Sequence, residues 1–281
     1  MTDVPFTEPD DLAFDWVVTD DLDETTQRWS TWLDVEPLCR GPEPRPDWVV
    51  TEQAAVDTEL GILKTGKEAE VHLLERAVPE GRSVVMAAKR YKGREHSSFH
   101  RNSAYTEGWS TRRSRDRRAI KARSSFGREL ASTQWANAEW QALCRFWSAG
   151  VPVPYPVQID GTEILMEFVH VDGEPAPRLA QTRPGPDLLH SWFAQVRDAM
   201  TALAREGVAH GDLSPYNILA AGERIVVIDL PQAIDLAGNT QGFDFLHRDC
   251  RNVCAWFRRR GLDPGLADEE ALFAELTAQA F

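Results

Sequence analysis

The stretch His210-Gly211-Asp212-Leu213-Ser214-Pro215-Tyr216-Asn217 sets an aspartate and an asparagine five residues apart on a polar loop. That spacing offers a carboxylate and a hard amide oxygen side by side, and phosphoryl transfer needs both. The carboxylate orients or deprotonates an acceptor hydroxyl, and the amide oxygen helps hold a divalent cation against the phosphates. Taken alone, an Asx-rich turn would account for the same residues. Asp229 argues for the chemical reading. It ends the apolar run Ile225-Val226-Val227-Ile228, a buried strand by composition, and stands 17 residues after Asp212. A carboxylate there suits a second cation ligand. The plainer alternative, a turn-opening aspartate before Pro231, explains Asp229 but not the pair of motifs in this order.

Phosphoryl transfer also needs a cover over the phosphates and a cation upon them. Gly61-Ile62-Leu63-Lys64-Thr65-Gly66-Lys67-Glu68 nearly spells the phosphate loop GxxxxGK[ST]. Two features count against it. Glu68 offers no hydroxyl to a metal, and EAEVHLLER beyond it alternates like a strand instead of opening a helix. A strand–turn–strand flap fits better. Lys89, within VVMAAKRY, has the context of a kinase strand lysine, against the alternative of a strand lysine with its tip in solvent. Its expected partner is Glu139 on the helix that follows, with Glu129 as competitor. Trp135, Trp140, Phe146 and Trp147 on that helix are expected in the core.

The elements that must carry these residues can be read from pattern. A short helix is expected at Glu24–Leu33, then the breaker-rich GPEPRPD at 41–47. Strands follow in ELGILKTG (59–66), EAEVHLLER (68–76) and SVVMAAKRY (83–91). Residues 92–125 are polar, basic and aperiodic, and read as a mobile insertion. An amphipathic helix over 126–148 ends at Gly150, and VPVPYP (151–156) cannot continue it. Strands are predicted at 157–159 and 163–170 around the Asp160-Gly161 turn. The second half changes character. A helix over 187–206 precedes the polar loop, then come strands at 217–220 and 224–229 and helices at 242–260 and 267–280. A strand-rich half joined to a helical half through a linker at 169–173 predicts two lobes with a cleft between them.

Charge and composition bound the alternatives. The net charge of −13 is concentrated in residues 1–60, which hold 16 acidic and 3 basic residues. Residues 89–128 carry 13 basic and 3 acidic residues. Two solvated stretches would explain this, as would an acidic arm docked on the basic segment, or a basic segment that contacts a polyanion. No window approaches the roughly 18 uninterrupted apolar residues of a membrane helix, and the acidic start lacks the order of a signal peptide. Cys39, Cys144, Cys250 and Cys254 form no CxxC pair, which suits reduced thiols in a cytoplasm more than zinc.

With these residues in hand, the chain resembles the RIO family of atypical serine protein kinases, nearest to its type-one branch. The resemblance rests on TGKEAEV (65–71), AAKRY (87–91), AEW (138–140), AGVPVPYP (149–156), ILMEF (164–168), HGDLSPYNIL (210–219), VIDLPQA (227–233) and FLHRDCRNV (245–253). It implies an α+β, two-lobed protein-kinase-like fold with a β-rich N-lobe and a shortened helical C-lobe. The organisation it implies is an acidic extension at 1–58, an N-lobe at 59–170 with the basic insertion at 92–125, and a C-lobe at 171–281. It further implies ATP with Mg²⁺ or Mn²⁺, a protein substrate that includes the chain itself, and a cytoplasmic location. Carried over by position, Asp212 is catalytic and Asn217 and Asp229 are the metal ligands. Lys89, paired with Glu139, holds the α- and β-phosphates. Met166, Glu167 and Phe168 border the adenine, with Glu167 and Phe168 as the hinge, and Lys67, Glu68, Ala69 and Val71 belong to the flap.

The departures from ordinary kinases matter too. Gly211 stands where those have arginine between His and Asp, so it cannot read a phosphorylated activation loop, and Ser214 replaces the lysine that faces the γ-phosphate. Few residues follow Asp229, which makes ordinary peptide docking doubtful. RIO relatives act in small ribosomal subunit maturation, so an ATPase that gates binding to an RNA–protein particle is the rival role with the same site. A small-molecule kinase of the aminoglycoside or choline type also uses HGDxxxxN, but it lacks TGKEA and IDxxQ and carries a larger acceptor lobe.

Overall fold

The computed structural model describes residues 23, 25–92, 125–230 and 233–280, with side chains from 132 onward in the helix that opens at 125. The expectations placed on the acidic arm before residue 23 and, beyond its two ends, on the basic insertion fall outside the described residues.

Apolar alternation builds the first half into one antiparallel sheet. Its strands are β1 (Gln27–Trp29), β2 (Val56–Thr65), β3 (Ala69–Ala77), β4 (Ser83–Tyr91), and, after helix α1 (Ser125–Ser148), β5 (Pro156–Asp160) and β6 (Glu163–Glu167). They lie in the order β1-β2-β3-β4-β6-β5. Because strand side chains alternate, Ala87, Lys89 and Tyr91 share one face of β4 and Met86 and Ala88 the other. The first face packs with Ala136, Trp140 and Leu143 of α1. The second, continued by Leu74 and Leu165 on neighbouring strands, is covered by Trp32, Val49 and Tyr155. Both faces of the sheet are therefore buried, one by α1 and one by the chain that precedes β2.

That coverage corrects two expectations. Of residues 24–33, expected as a short helix, the described residues 25–29 form a turn and then β1. The Asp23 carboxylate accepts from Thr25 N at 3.1 Å, and its carbonyl accepts from Thr26 N and Gln27 N at 2.9 and 2.7 Å. This local bonding competes with a helix, and pairing of Arg28 with Asp57 completes an edge strand. The segment up to residue 58, expected to stand apart as an extension, is built into the N-lobe from Gln27 onward, and β2 opens at Val56 instead of 59. A buried network fastens it. Arg76 donates to both Asp57 oxygens at 2.6 and 2.9 Å and to Gln158 Oε1 at 2.9 Å. Gln158 in turn donates to Thr31 Oγ1 at 2.8 Å.

The second half holds β7 (His170–Val171), β8 (Glu174–Pro175), α2 (Pro186–Arg205), β9 (Val208–Ala209), β10 (Ile218–Ala221), β11 (Arg224–Val227), β12 (Ile234–Asp235), α3 (Gly242–Arg259) and α4 (Glu269–Gln279). Proline at the first turn starts α2, and Gly207 at φ 71° ends it, as the pattern predicts. Asp268 caps α4 through bonds from Glu270 N and Ala271 N at 2.9 Å. The fold is the two-lobed, kinase-like α+β arrangement, with few helices in its second lobe. The strand expected to run from 163 to 170 stops at Glu167, where the chain leaves the sheet for the second lobe. All four cysteines are free, and Cys250 and Cys254 are buried on α3. No helix among the described residues is long and apolar enough to cross a membrane.

Candidate active site

Helix α2 delivers the chain through buried β9, which pairs with β12, to His210, only 1% exposed. Its Nε2 donates to the Ile228 carbonyl at 2.9 Å, and its Nδ1 accepts from Asp212 N at 3.3 Å. Burial holds the imidazole below its ordinary pKa, so a neutral ring can serve both bonds. Beneath the loop lies Asp249 of α3. Its two oxygens accept from Gly211 N and Leu213 N, each at 2.8 Å, and Arg248 donates to the Gly211 carbonyl. Burial pushes the Asp249 carboxyl up to about 7, against the opposing pull of those two N–H groups. The loop is thus held from both sides by groups distant in sequence.

Within this frame Asn217 donates from Nδ2 to the Asp212 carbonyl at 2.9 Å, with Asp212 Oδ2 at 3.5 Å. The Asn217 carbonyl accepts from Ile228 N at 3.0 Å, which ties the loop to the end of β11 one residue before Asp229. Asp229 does not end the strand. It stands beyond it with φ 69°, in the left-handed region that few residues besides Gly, Asn and Asp enter. Such a turn redirects the side chain and belongs with strained functional positions.

Across the cleft, Lys89 Nζ lies 2.6 Å from Glu139 Oε1. Glu139 is 4% exposed, and Tyr91 donates its phenol to the other oxygen. Burial and the adjacent Glu139 carboxylate hold the Tyr91 hydroxyl protonated far above its ordinary range. The competitor, Glu129, lies where α1 side chains are outside the described residues.

One cleft of about 770 Å³ unites these groups. Lys67, Glu68, Ala69 and Val71 line it from the flap, Lys89 and Glu139 from the sheet and α1, Met166, Glu167 and Phe168 from the end of β6 and the residue after it, and Asn217 and Asp229 from the second lobe. Asp212 is not on that wall; it adjoins it through Asn217. Glu167 reaches the cleft differently from Met166. Alternation turns its carboxylate to the opposite face, where it accepts from Tyr155 N at 3.2 Å and pairs with Arg224. Its backbone N–H is taken as well, donating to the Tyr155 carbonyl at 2.9 Å, which leaves the Glu167 carbonyl as its polar group for a ligand. Sequence reading missed Val169, Leu219 and Ile228, which extend the apolar wall, and Lys64 and Arg178, which face the cleft from opposite lobes. The alternation of Ile218-Leu219-Ala220 signals a strand but not which side meets a cleft. The flap motif contains Lys64 without marking it as a cleft residue.

Among the described residues no three His, Cys, Asp or Glu side chains gather as a metal cage. The amide and carboxylate oxygens of Asn217 and Asp229 instead fit a hard cation that takes its other ligands from phosphate and water, the usual situation for Mg²⁺. An apolar slot leading to cations and oxygen donors suits a nucleotide triphosphate.

The family model described as RIO domain matches residues 65–272. Over 228 residues the chain is 33% identical to the RIO-type serine/threonine-protein kinase Rio1 of Haloferax volcanii, covering 81% of this chain and 72% of that one. It is 30% identical over 213 residues to serine/threonine-protein kinase RIO1 of Chaetomium thermophilum, and 32% identical over 137 residues to human serine/threonine-protein kinase RIO3. These two alignments cover 72% and 48% of this chain, and only 40% and 26% of the relatives.

Proposed function

The chain belongs to the RIO family of serine/threonine protein kinases, and on that premise we propose that its cleft transfers the γ-phosphate of ATP to a protein hydroxyl, its own included. The carrying observation is that Asn217 and Asp229 meet the ion-paired Lys89 at one cleft, with Asp212 bonded to Asn217 beside it. Phe168 and the backbone of Glu167 border the adenine, and Lys89, oriented by Glu139, binds the α- and β-phosphates. Asn217 and Asp229 hold Mg²⁺ or Mn²⁺, which when bound neutralises charge on the phosphates. Asp212 accepts the proton of a serine or threonine hydroxyl as its oxygen bonds to the γ-phosphorus and the bond to the ADP oxygen breaks. The four free thiols support a reducing, cytoplasmic setting.

Incubation of the purified chain with labelled ATP and Mg²⁺ tests the reading. A phosphoprotein band is the expected result, and no phosphate transfer or ADP formation would refute it. ADP release without a phosphoprotein favours a second reading, an ATPase switch acting on an RNA–protein particle. One observation supports that alternative: the helix α3 that follows Asp229 is engaged beneath the catalytic loop through Asp249, bonded to Gly211 N and Leu213 N, so that face of it is not free to dock a peptide.

A further inference from the structure

The catalytic loop His210–Asn217 contains no lysine or arginine, yet a γ-phosphate in the cleft requires a cation. Lys89 is already matched by Glu139. Three other cations line the same cleft, Lys64 and Lys67 from the flap and Arg178 from the second lobe; of these, Lys64 and Arg178 have no ion-pair partner among the described residues and act on one another from opposite lobes.

Their placement follows from backbone geometry. Strand β2 pairs Ile62 with His72 and then Lys64 with Val71, so a bulge leaves Leu63 unpaired between them. A bulge puts two residues opposite one and re-aims side chains that simple alternation would send to opposite faces. Leu63 and Lys64 accordingly both line the cleft. Arg178 precedes the 3₁₀ turn Leu179–Gln181 and donates from Nη1 to the Tyr216 carbonyl at 2.7 Å, adjacent to Asn217. Partial burial and the Arg178 guanidinium hold the Lys64 amine below its ordinary pKa, while Asp229 pulls the other way. The two cations therefore act on one another across the cleft they both line, beside Asp229, the residue proposed to hold the metal.

We propose that Lys64 and Arg178 form an interlobe clamp on the polyphosphate of the nucleotide, supplying from the flap and the second lobe the positive charge that the catalytic loop lacks. This rests on the kinase reading. Without an anion the two like charges oppose approach of the lobes; a triphosphate between them converts that repulsion into two attractions. Closure of the flap is thus coupled to the phosphates and not to the base.

Calorimetric titration of the full chain tests the clamp, using Mg²⁺ with a non-hydrolysable ATP analogue and, separately, adenosine. Lys64→Gln and Arg178→Gln should each weaken the analogue on the order of tenfold, as charge-assisted bonds are lost, while adenosine binding stays at the wild-type value. The salt dependence of analogue binding should become shallower in both variants, and Lys64→Arg should retain wild-type affinity. Unchanged analogue binding in Lys64→Gln, or equal losses for analogue and adenosine, would overturn the clamp while wild-type binding leaves the kinase reading standing. Failure of the wild-type chain to bind the analogue would overturn both.

Discussion

Asn217 turns its amide nitrogen toward Asp212, donating to that residue's carbonyl at 2.9 Å, so its Oδ1 is the atom left for a cation. One hydrogen bond thereby links the residue proposed to act on the acceptor with the residue proposed to hold the metal, and separates their roles.

Asp212→Asn should lose phosphotransfer by about 10²–10⁴-fold, the usual worth of a positioned base. Nucleotide binding should persist, because Asp212 lies beside the cleft wall and not on it. Autophosphorylation and nucleotide titration of the same preparation check both halves; near-normal autophosphorylation would remove Asp212 from its role.

Asn217→Ala and Asp229→Ala should raise the Mg²⁺ concentration needed for binding of an ATP analogue, since each removes an oxygen ligand. Asn217→Asp separates the functions of one side chain. It keeps an oxygen but loses the donor to the Asp212 carbonyl, so metal dependence should stay near wild type while turnover falls. Equal metal titrations for all of these variants would refute the assignment.

Glu139→Gln should raise the KM for ATP on the order of tenfold by releasing Lys89 from its 2.6 Å partner. Glu139→Ala should also cost about 3 kcal/mol of stability, because it leaves the Tyr91 hydroxyl and the Lys89 charge without their acceptor in a buried setting. Steady-state kinetics and urea denaturation distinguish the two effects. An unchanged KM in both variants would mean that Lys89 is positioned by other groups.

Asp249 makes stability depend on pH in a defined direction. Its carboxyl is raised from 3.8 to about 7 in the fold, so between those values the native state binds more protons than the unfolded chain. Its contribution is full below the unfolded value and is lost as pH rises through about 7. Urea midpoints at pH 5 and pH 8 should differ less in Asp249→Asn than in the wild type. That variant should also turn over more slowly, because its Nδ2 cannot accept from one of Gly211 N and Leu213 N. An identical pH dependence in both proteins would contradict this account.

What the sequence alone carries is local. Asp212 and Asn217 are joined by the geometry of one turn, Asp229 by the apolar strand before it, and Lys89 by an alternation that places it with Ala87 and Tyr91. In each case the signal spans fewer than about ten residues, the range over which strand period and turn chemistry act. Helix ends marked by Gly150 and Gly207 are legible for the same reason. The tertiary structure decided what depends on distant partners. Gln27–Trp29 became a strand, within the stretch expected as a helix, because the edge of β2 was available to pair with them. Glu167 turned its carboxylate from the cleft because its register on β6 faces Tyr155, and Lys64 turned in because β2 bulges beside it. Asp249, 36 and 38 residues from the amides it binds, carries no local mark of that task. Its position is set by the packing of α3 beneath the loop, a long-range contact whose formation requires the whole lobe to fold.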